Sequence, residues 1–220
     1  MRYLIVNGDD FGAGRGINRG ILEAHRRGIL TSTSLMVDLP TSEEAAALSR
    51  GVPDLSVGLH VDLDAAAHGS EYGAELHRQL RRFEELMGRP PTHIDSHHDV
   101  HRDPRLLPDF LELSRRCGSP LRGYSQARCI SSFYGRWGGE THREQIGVPS
   151  LMRLLETEVG DGVTELSCHP GYVEPDLQSS YSSEREIELR TLCDPAVREA
   201  LRERQIHLIG FRDLPAPARI

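Results

Sequence analysis

Between residues 93 and 101 the chain reads HIDSHHDVH, four histidines and two aspartates in nine positions. Imidazoles and carboxylates bind zinc and similar divalent ions, and they also carry protons near neutral pH. If this stretch begins as a strand, His93, Asp95 and His97 alternate onto one face and Ile94 faces the other side. His98, Asp99 and His101 then lie where the strand gives way to a loop, and His97 and His101 share a face only if that turn is helical. His97 is therefore the better ligand candidate, and a carboxylate such as Asp95 or Asp99 can hold its second ring nitrogen. The alternative is a polar loop of solvated histidines.

Three further groups could join it. Asp9 and Asp10 stand side by side in NGDDFG, at the end of an apolar run. Adjacent carboxylates repel each other, and their burial is costly unless a cation or a shared proton compensates. A metal would supply that compensation; with one aspartate on the ion, the other could take a proton from a polarised water. The competing reading is an Asx turn capping the next helix. His60, in SVGLHVDLD, completes a set of two histidines and one carboxylate with Asp10 and His97, which leaves positions for water and substrate. Alone, it would be an ordinary hydrogen-bonded core histidine. His169, in LSCHPGYV, precedes Pro170 and Gly171 and could donate a proton to a leaving group, or simply pack beside the proline turn.

The elements that must position these groups alternate. Arg2–Asn7 reads as a buried strand, the stripe through Ile17, Ile21, Leu22 and Ala24 as a helix stopped by Gly28, and 29–37 as a second strand. Thr41 and Glu44 have the spacing of a capping box for a helix ending near Gly51. A strand at Ser56–Leu63, a helix striped by Leu76, Leu80, Phe83 and Met87, and a short strand at His93–Asp95 follow. Asp103 and Pro104 read as the start of a helix to about Cys117, closed by Gly118 and bent early by Pro108. Residues 121–147 show no clear pattern. A helix through Leu151, Leu154, Leu155 and Val159, a strand at Val163–Cys168, helices at Glu184–Leu192 and Asp194–Arg204, and a last strand at Ile206–Phe211 complete the chain. Such alternation predicts a parallel sheet, open or closed into an α/β barrel, and a barrel brings every strand C-terminus to one face. The four ionisable groups all stand at such ends.

At 220 residues one domain spanning 1–220 is expected. Hydrophobic content of 38%, a charged fraction of 27% and a mean hydropathy of −0.43 fit a globular protein. The net charge of −7, with acids and bases interspersed, offers no basic face and argues against a nucleic-acid partner. The apolar start is too short for a signal-peptide core and no later segment could span a bilayer, so a cytoplasmic location is expected. Cys117, Cys129, Cys168 and Cys193 lie far apart without a CxxC, as suits reduced packing thiols.

Taken together and in order, NGDDFG at 7–12, TSTS at 31–34, GLH at 58–60, THIDSHHDVH at 92–101 and CHPGY at 168–172 resemble the YdjC-like (ChbG/HpnK-type) carbohydrate deacetylases. The resemblance covers most of the chain. It implies a single-domain (β/α) barrel-like fold, of distorted TIM type and related to polysaccharide deacetylases, one divalent ion such as Mg or Zn, and removal of an N-acetyl group from an amino sugar. It also implies metal ligands at Asp10, His60 and His97, a general base at Asp9 and a proton donor at His169. Two departures bear on the substrate. Asp99 replaces a third consecutive histidine common in related sequences, and the connection from His60 to His93 is shorter than in chitooligosaccharide enzymes. Arg122, Tyr124 and Trp137 are candidate sugar contacts in the unpatterned region, and a homodimer is expected by analogy only. A metallophosphoesterase on a similar barrel and a non-catalytic, metal-dependent sugar-binding protein are the competing readings.

Overall fold

The computed structural model describes residues 1–63, 71–174 and 179–214. The chain builds β1 (Arg2–Phe11), α1 (Arg15–Arg27), β2 (Ser32–Leu35), α2 (Ser42–Ser49), β3 (Ser56–Val61), α3 (Glu71–Met87) and β4 (Ile94–Ser96). After a 3₁₀ turn at His97–Arg102 come α4 (Leu107–Cys117), β5 (Ala127–Ile130) and a small hairpin of β6 (Arg136–Trp137) and β7 (Glu140–Thr141). The rest is α5 (Val148–Thr157), β8 (Gly162–Cys168), α6 (Ser183–Leu192), α7 (Pro195–Glu203) and β9 (Ile206–Leu208).

The main sheet is parallel throughout, in the order β4-β3-β2-β1-β8-β5, with β9 added against the start of β1. Its edges are brought together by one interrupted strand. The Ile94 N–H donates to Pro120 O and the Arg122 N–H to Ile94 O, so residues 120–122 pair with β4; after a turn, β5 pairs with β8. The result is a curled, barrel-like sheet with its helices outside. Leu4, Val6, Leu35, Leu59 and Leu166 bury against the helix stripes, while Ile5, Ala127 and Phe211 form a second, small cluster.

The expected elements are present, with informative shifts. Thr41 does precede α2, but the capping box does not form: its hydroxyl donates to Gly12 O and Glu44 pairs with Arg15. The side chain that could cap the helix instead ties down the loop after β1. Helix α4 starts at Leu107 rather than at Asp103, whose carboxylate turns back onto the Arg105 N–H and side chain. Pro108 consequently falls in the first turn, where its missing N–H leaves no bond unmade. Gly118, at φ 69°, closes the helix as expected. The last strand ends at Leu208 and gives way to a 3₁₀ turn at Phe211–Asp213. All four cysteines are free. No described helix is long and apolar enough to cross a membrane.

Candidate active site

Two consecutive strand residues ordinarily point to opposite faces. In β1 the register with β2 shifts between Gly8 and Phe11, and Asp10 adopts φ 67°. A bulge of this kind re-aims side chains, and aspartate tolerates the left-handed region better than most residues. Both carboxylates therefore reach the open end of the sheet, buried to 4% and 2% exposure.

The compensation expected from a metal comes in large part from two arginines distant in sequence. Arg122 donates from Nη1 to Asp9 Oδ2 (2.8 Å) and from Nη2 to Asp9 Oδ1 (2.7 Å). Its Nε donates to Glu165 (2.7 Å), and Nη2 lies 2.7 Å from Asp95 Oδ2. One buried guanidinium thus serves three carboxylates, on β1, β4 and β8. Arg185 of α6 donates from Nη2 to Asp10 Oδ2 at 2.5 Å. Asp9 accepts further bonds from Asn7, Ser34 and Ser167, so both of its oxygens are occupied. Burial opposes ionisation of both aspartates, but Arg122 keeps Asp9, and Arg185 keeps Asp10, below the usual carboxylate range.

Asp10 Oδ1 is different: it is buried and has no hydrogen-bond partner. His60 Nε2 stands 3.4 Å from it and His97 Nδ1 3.3 Å. The His60 ring is oriented by Asp95, which lies 2.7 Å from Nδ1. With Nδ1–H donating to Asp95, Nε2 turns its lone pair toward the carboxylate oxygen. Two lone pairs facing each other between buried side chains call for a positive charge between them. Without a metal that charge is a second proton on the ring: burial opposes it, but Asp95, Asp10 and Asp9 push the His60 pKa up to about 10. A divalent ion fits the same place, because Asp10, His60 and His97 each direct one ligand atom to it and all three atoms lie within 4.8 Å of one another. Asp9, His60 and Asp95 also converge within that distance, but their facing atoms are already engaged with one another or with Arg122.

The histidines of HIDSHHDVH separate. His93 is fully buried, stacks on Phe211 with centroids 3.9 Å apart, and is lowered to about 4, chiefly by burial. Its ring lies where a Gly58 side chain would be, 2.3 Å from an added Cβ, which accounts for the glycine of GLH. Asp95 holds His60 rather than His97. His98 and Asp99 take left-handed backbone angles, φ 56° and 55°, so the turn is not regularly helical. His97 stays at the mouth while His101 turns inward to Ser96 and Phe110. Asp99 is 43% exposed and faces Arg102.

His169 follows β8, with Nε2 4.0 Å from Asp9 Oδ2, and burial lowers its pKa. Its backbone N–H donates to Glu188, whose other oxygen accepts from the Tyr181 hydroxyl. Asp9, Asp10, His60, His97 and His169 all line one cleft of about 580 Å³, together with Arg122, Arg185, Tyr134 and Tyr181. The five residues anticipated for the site are thus brought together. The sequence reading missed Arg185, Glu165 and Glu188; an RxxE step on one helix face and an acid inside an apolar strand were the available signals. Of the candidate sugar contacts, Arg122 is buried beneath the site, while Tyr124 and Trp137 do not line the cleft.

A family model described as YdjC-like protein matches residues 3–73 and 64–203. The chain belongs to this family. A carbohydrate deacetylase of Geobacillus stearothermophilus is 35% identical, the alignment covering 96% of this chain and 98% of that one. A chitooligosaccharide deacetylase of Serratia marcescens is also 35% identical, over 97% and 99%. Among solved structures, a protein of Enterococcus faecalis V583 superposes with a TM-score of 0.85 at 29% identity, covering 98% of this chain and 99% of that one. A family 4 carbohydrate esterase from Streptomyces lividans, solved with acetate, gives a TM-score of 0.60 at 14% identity over 100% and 98%. At that identity the likeness speaks for the fold alone. The two segments of the YdjC-like match overlap at residues 64–73.

Proposed function

We propose that the chain acts as one catalytic domain, a metal-dependent N-deacetylase that releases acetate from an N-acetylated amino sugar or its oligosaccharide. The observation that carries this reading is the unpartnered Asp10 Oδ1 facing His60 Nε2 and His97 Nδ1 in a cleft that also holds Asp9 and His169. The names of the relatives supply the substrate class.

Asp10, His60 and His97 would hold a divalent ion such as zinc or magnesium. When bound, the ion would supply Lewis-acid polarisation of the acetyl carbonyl and of the attacking water. Asp9 takes the proton of that water as its oxygen attacks the carbonyl carbon. Arg122 keeps Asp9 ionised at neutral pH and makes its acquired proton easy to pass on. His169 Nε2, 4.0 Å from Asp9 Oδ2, takes that proton from Asp9 and hands it to the amine nitrogen as the C–N bond breaks, which returns both groups to their starting states. Acetate and a free amino sugar leave. His60 keeps its orientation throughout because Asp95 holds Nδ1.

The phosphoesterase reading wants a second metal, and among the described residues the only other converging set has its ligand atoms already engaged. A binding protein would need neither Asp9 nor His169. The test is acetate release by the metal-loaded protein from N-acetylated mono- and oligosaccharides, with Asp9→Asn as the blank. Release that vanishes in the variant supports the deacetylase; no release from any sugar, with metal bound, overturns it.

A further inference from the structure

The wall of the cleft on the His169 side is aromatic. Tyr134 stacks on Tyr181, with ring centroids 4.7 Å apart and planes 12° from parallel, and stands edge-on to His169 at 5.7 Å. Tyr181 is firmly held. Its hydroxyl donates to Glu188 and accepts from the Gly135 N–H at 3.0 Å, which ties the backbone beside Tyr134 to the ring beneath it. The exposures differ sharply: Phe133 is 1% exposed and Tyr181 5%, whereas Tyr134 is 38% exposed. Of the described phenylalanine and tyrosine side chains lining the cleft, only Tyr134 leaves a broad surface open, and its hydroxyl makes no hydrogen bond there. Trp137 offers no equivalent, since His142 covers one face at 3.5 Å and neither residue lines the cleft.

A ring fixed in this way can bind at little cost in side-chain entropy, and its face suits an apolar, C–H-rich surface. A pyranose ring has such a surface on one side and hydroxyls around its rim. The leaving amine must be near His169, and the sugar attached to it must then lie along this wall. We propose that Tyr134 is a specificity-determining residue whose open face stacks on the pyranose ring carrying the acetamido group, selecting cyclic sugars over open-chain acetamides. The inference rests on the deacetylase reading of the same site.

The test compares Tyr134→Ala, Tyr134→Phe and Tyr134→Trp in acetate release from N,N′-diacetylchitobiose, together with calorimetric binding of the deacetylated disaccharide, which needs no turnover. The expectation for Tyr134→Ala is a KM raised about tenfold, equivalent to about 1.4 kcal/mol, with kcat within about twofold and metal content unchanged. Product binding should weaken by a similar factor, and the Phe and Trp variants should stay within about threefold of wild type. An unchanged KM and product affinity in Tyr134→Ala overturns the platform, as does a Phe variant impaired as much as Ala, or a wild type that does not bind the disaccharide. Metal-loaded wild type that binds the disaccharide through Tyr134 yet releases no acetate overturns the deacetylase reading and leaves the platform standing.

Discussion

Asp9 and Asp10 are neighbours in sequence, equally buried and each paired with an arginine, yet their surroundings differ in one decisive respect. Both oxygens of Asp9 are taken, by Arg122, Asn7, Ser34 and Ser167. Asp10 gives one oxygen to Arg185 and keeps the other bare before two imidazoles. The closed environment suits a group that must stay ionised and in place while protons come and go. The open one suits a group that must coordinate an ion. A single bulge with a left-handed residue is what allows the two to diverge.

The difference can be broken from either side. The largest effect is expected on turnover: Asp9→Asn should lower kcat by about 10²–10⁴, while His97→Ala should lose both metal and activity. Next comes stability. Arg122→Leu strands Asp9, Asp95 and Glu165 without their cation, and removing one partner of a buried ion cluster costs about 3–5 kcal/mol, readable as a lower urea midpoint.

A smaller, pH-dependent effect is expected at Glu188, whose partners are neutral donors and whose pKa is raised by burial from 4.5 to about 8. Between those values the folded chain holds a proton that the unfolded chain has lost, so stability falls as pH rises through the window. Glu188→Gln cannot ionise there, and its Tm should fall less than that of wild type between pH 5 and pH 9. Parallel Tm curves would show that Glu188 is not the titrating group. The smallest effect is expected at Asp99, half exposed and outside the ligand set: Asp99→Ala should change stability by less than about 0.5 kcal/mol and leave metal content unchanged.

The strand ends were legible in the sequence because buried parallel strands read as apolar runs, and ionisable residues just after them are conspicuous. The five site residues follow from that coincidence together with the family motifs. Other features depend on contacts that no local pattern records. Arg122 sits in a stretch without periodicity, because residues 120–122 and β5 are two short halves of one interrupted strand. Arg185 and Glu188 are charged residues on a helix without an apolar stripe to mark its inner face, yet both are buried, at 4% and 0% exposure. Thr41 had the right spacing for a cap, but its hydroxyl donates to Gly12 O and accepts nothing from the helix N–H groups. Within HIDSHHDVH, strand alternation set His93, Asp95 and His97 on one side; the left-handed turn at His98 and Asp99 decided which histidine stays at the mouth.

The most direct test is the divalent metal content of purified Asp9→Asn and Asp10→Asn, measured after loading and dialysis. Asparagine tolerates the left-handed backbone at position 10, so that substitution changes the ligand with little strain. The account predicts about one ion per chain in wild type and Asp9→Asn, and none in Asp10→Asn. Metal retained by Asp10→Asn and lost from Asp9→Asn would contradict it.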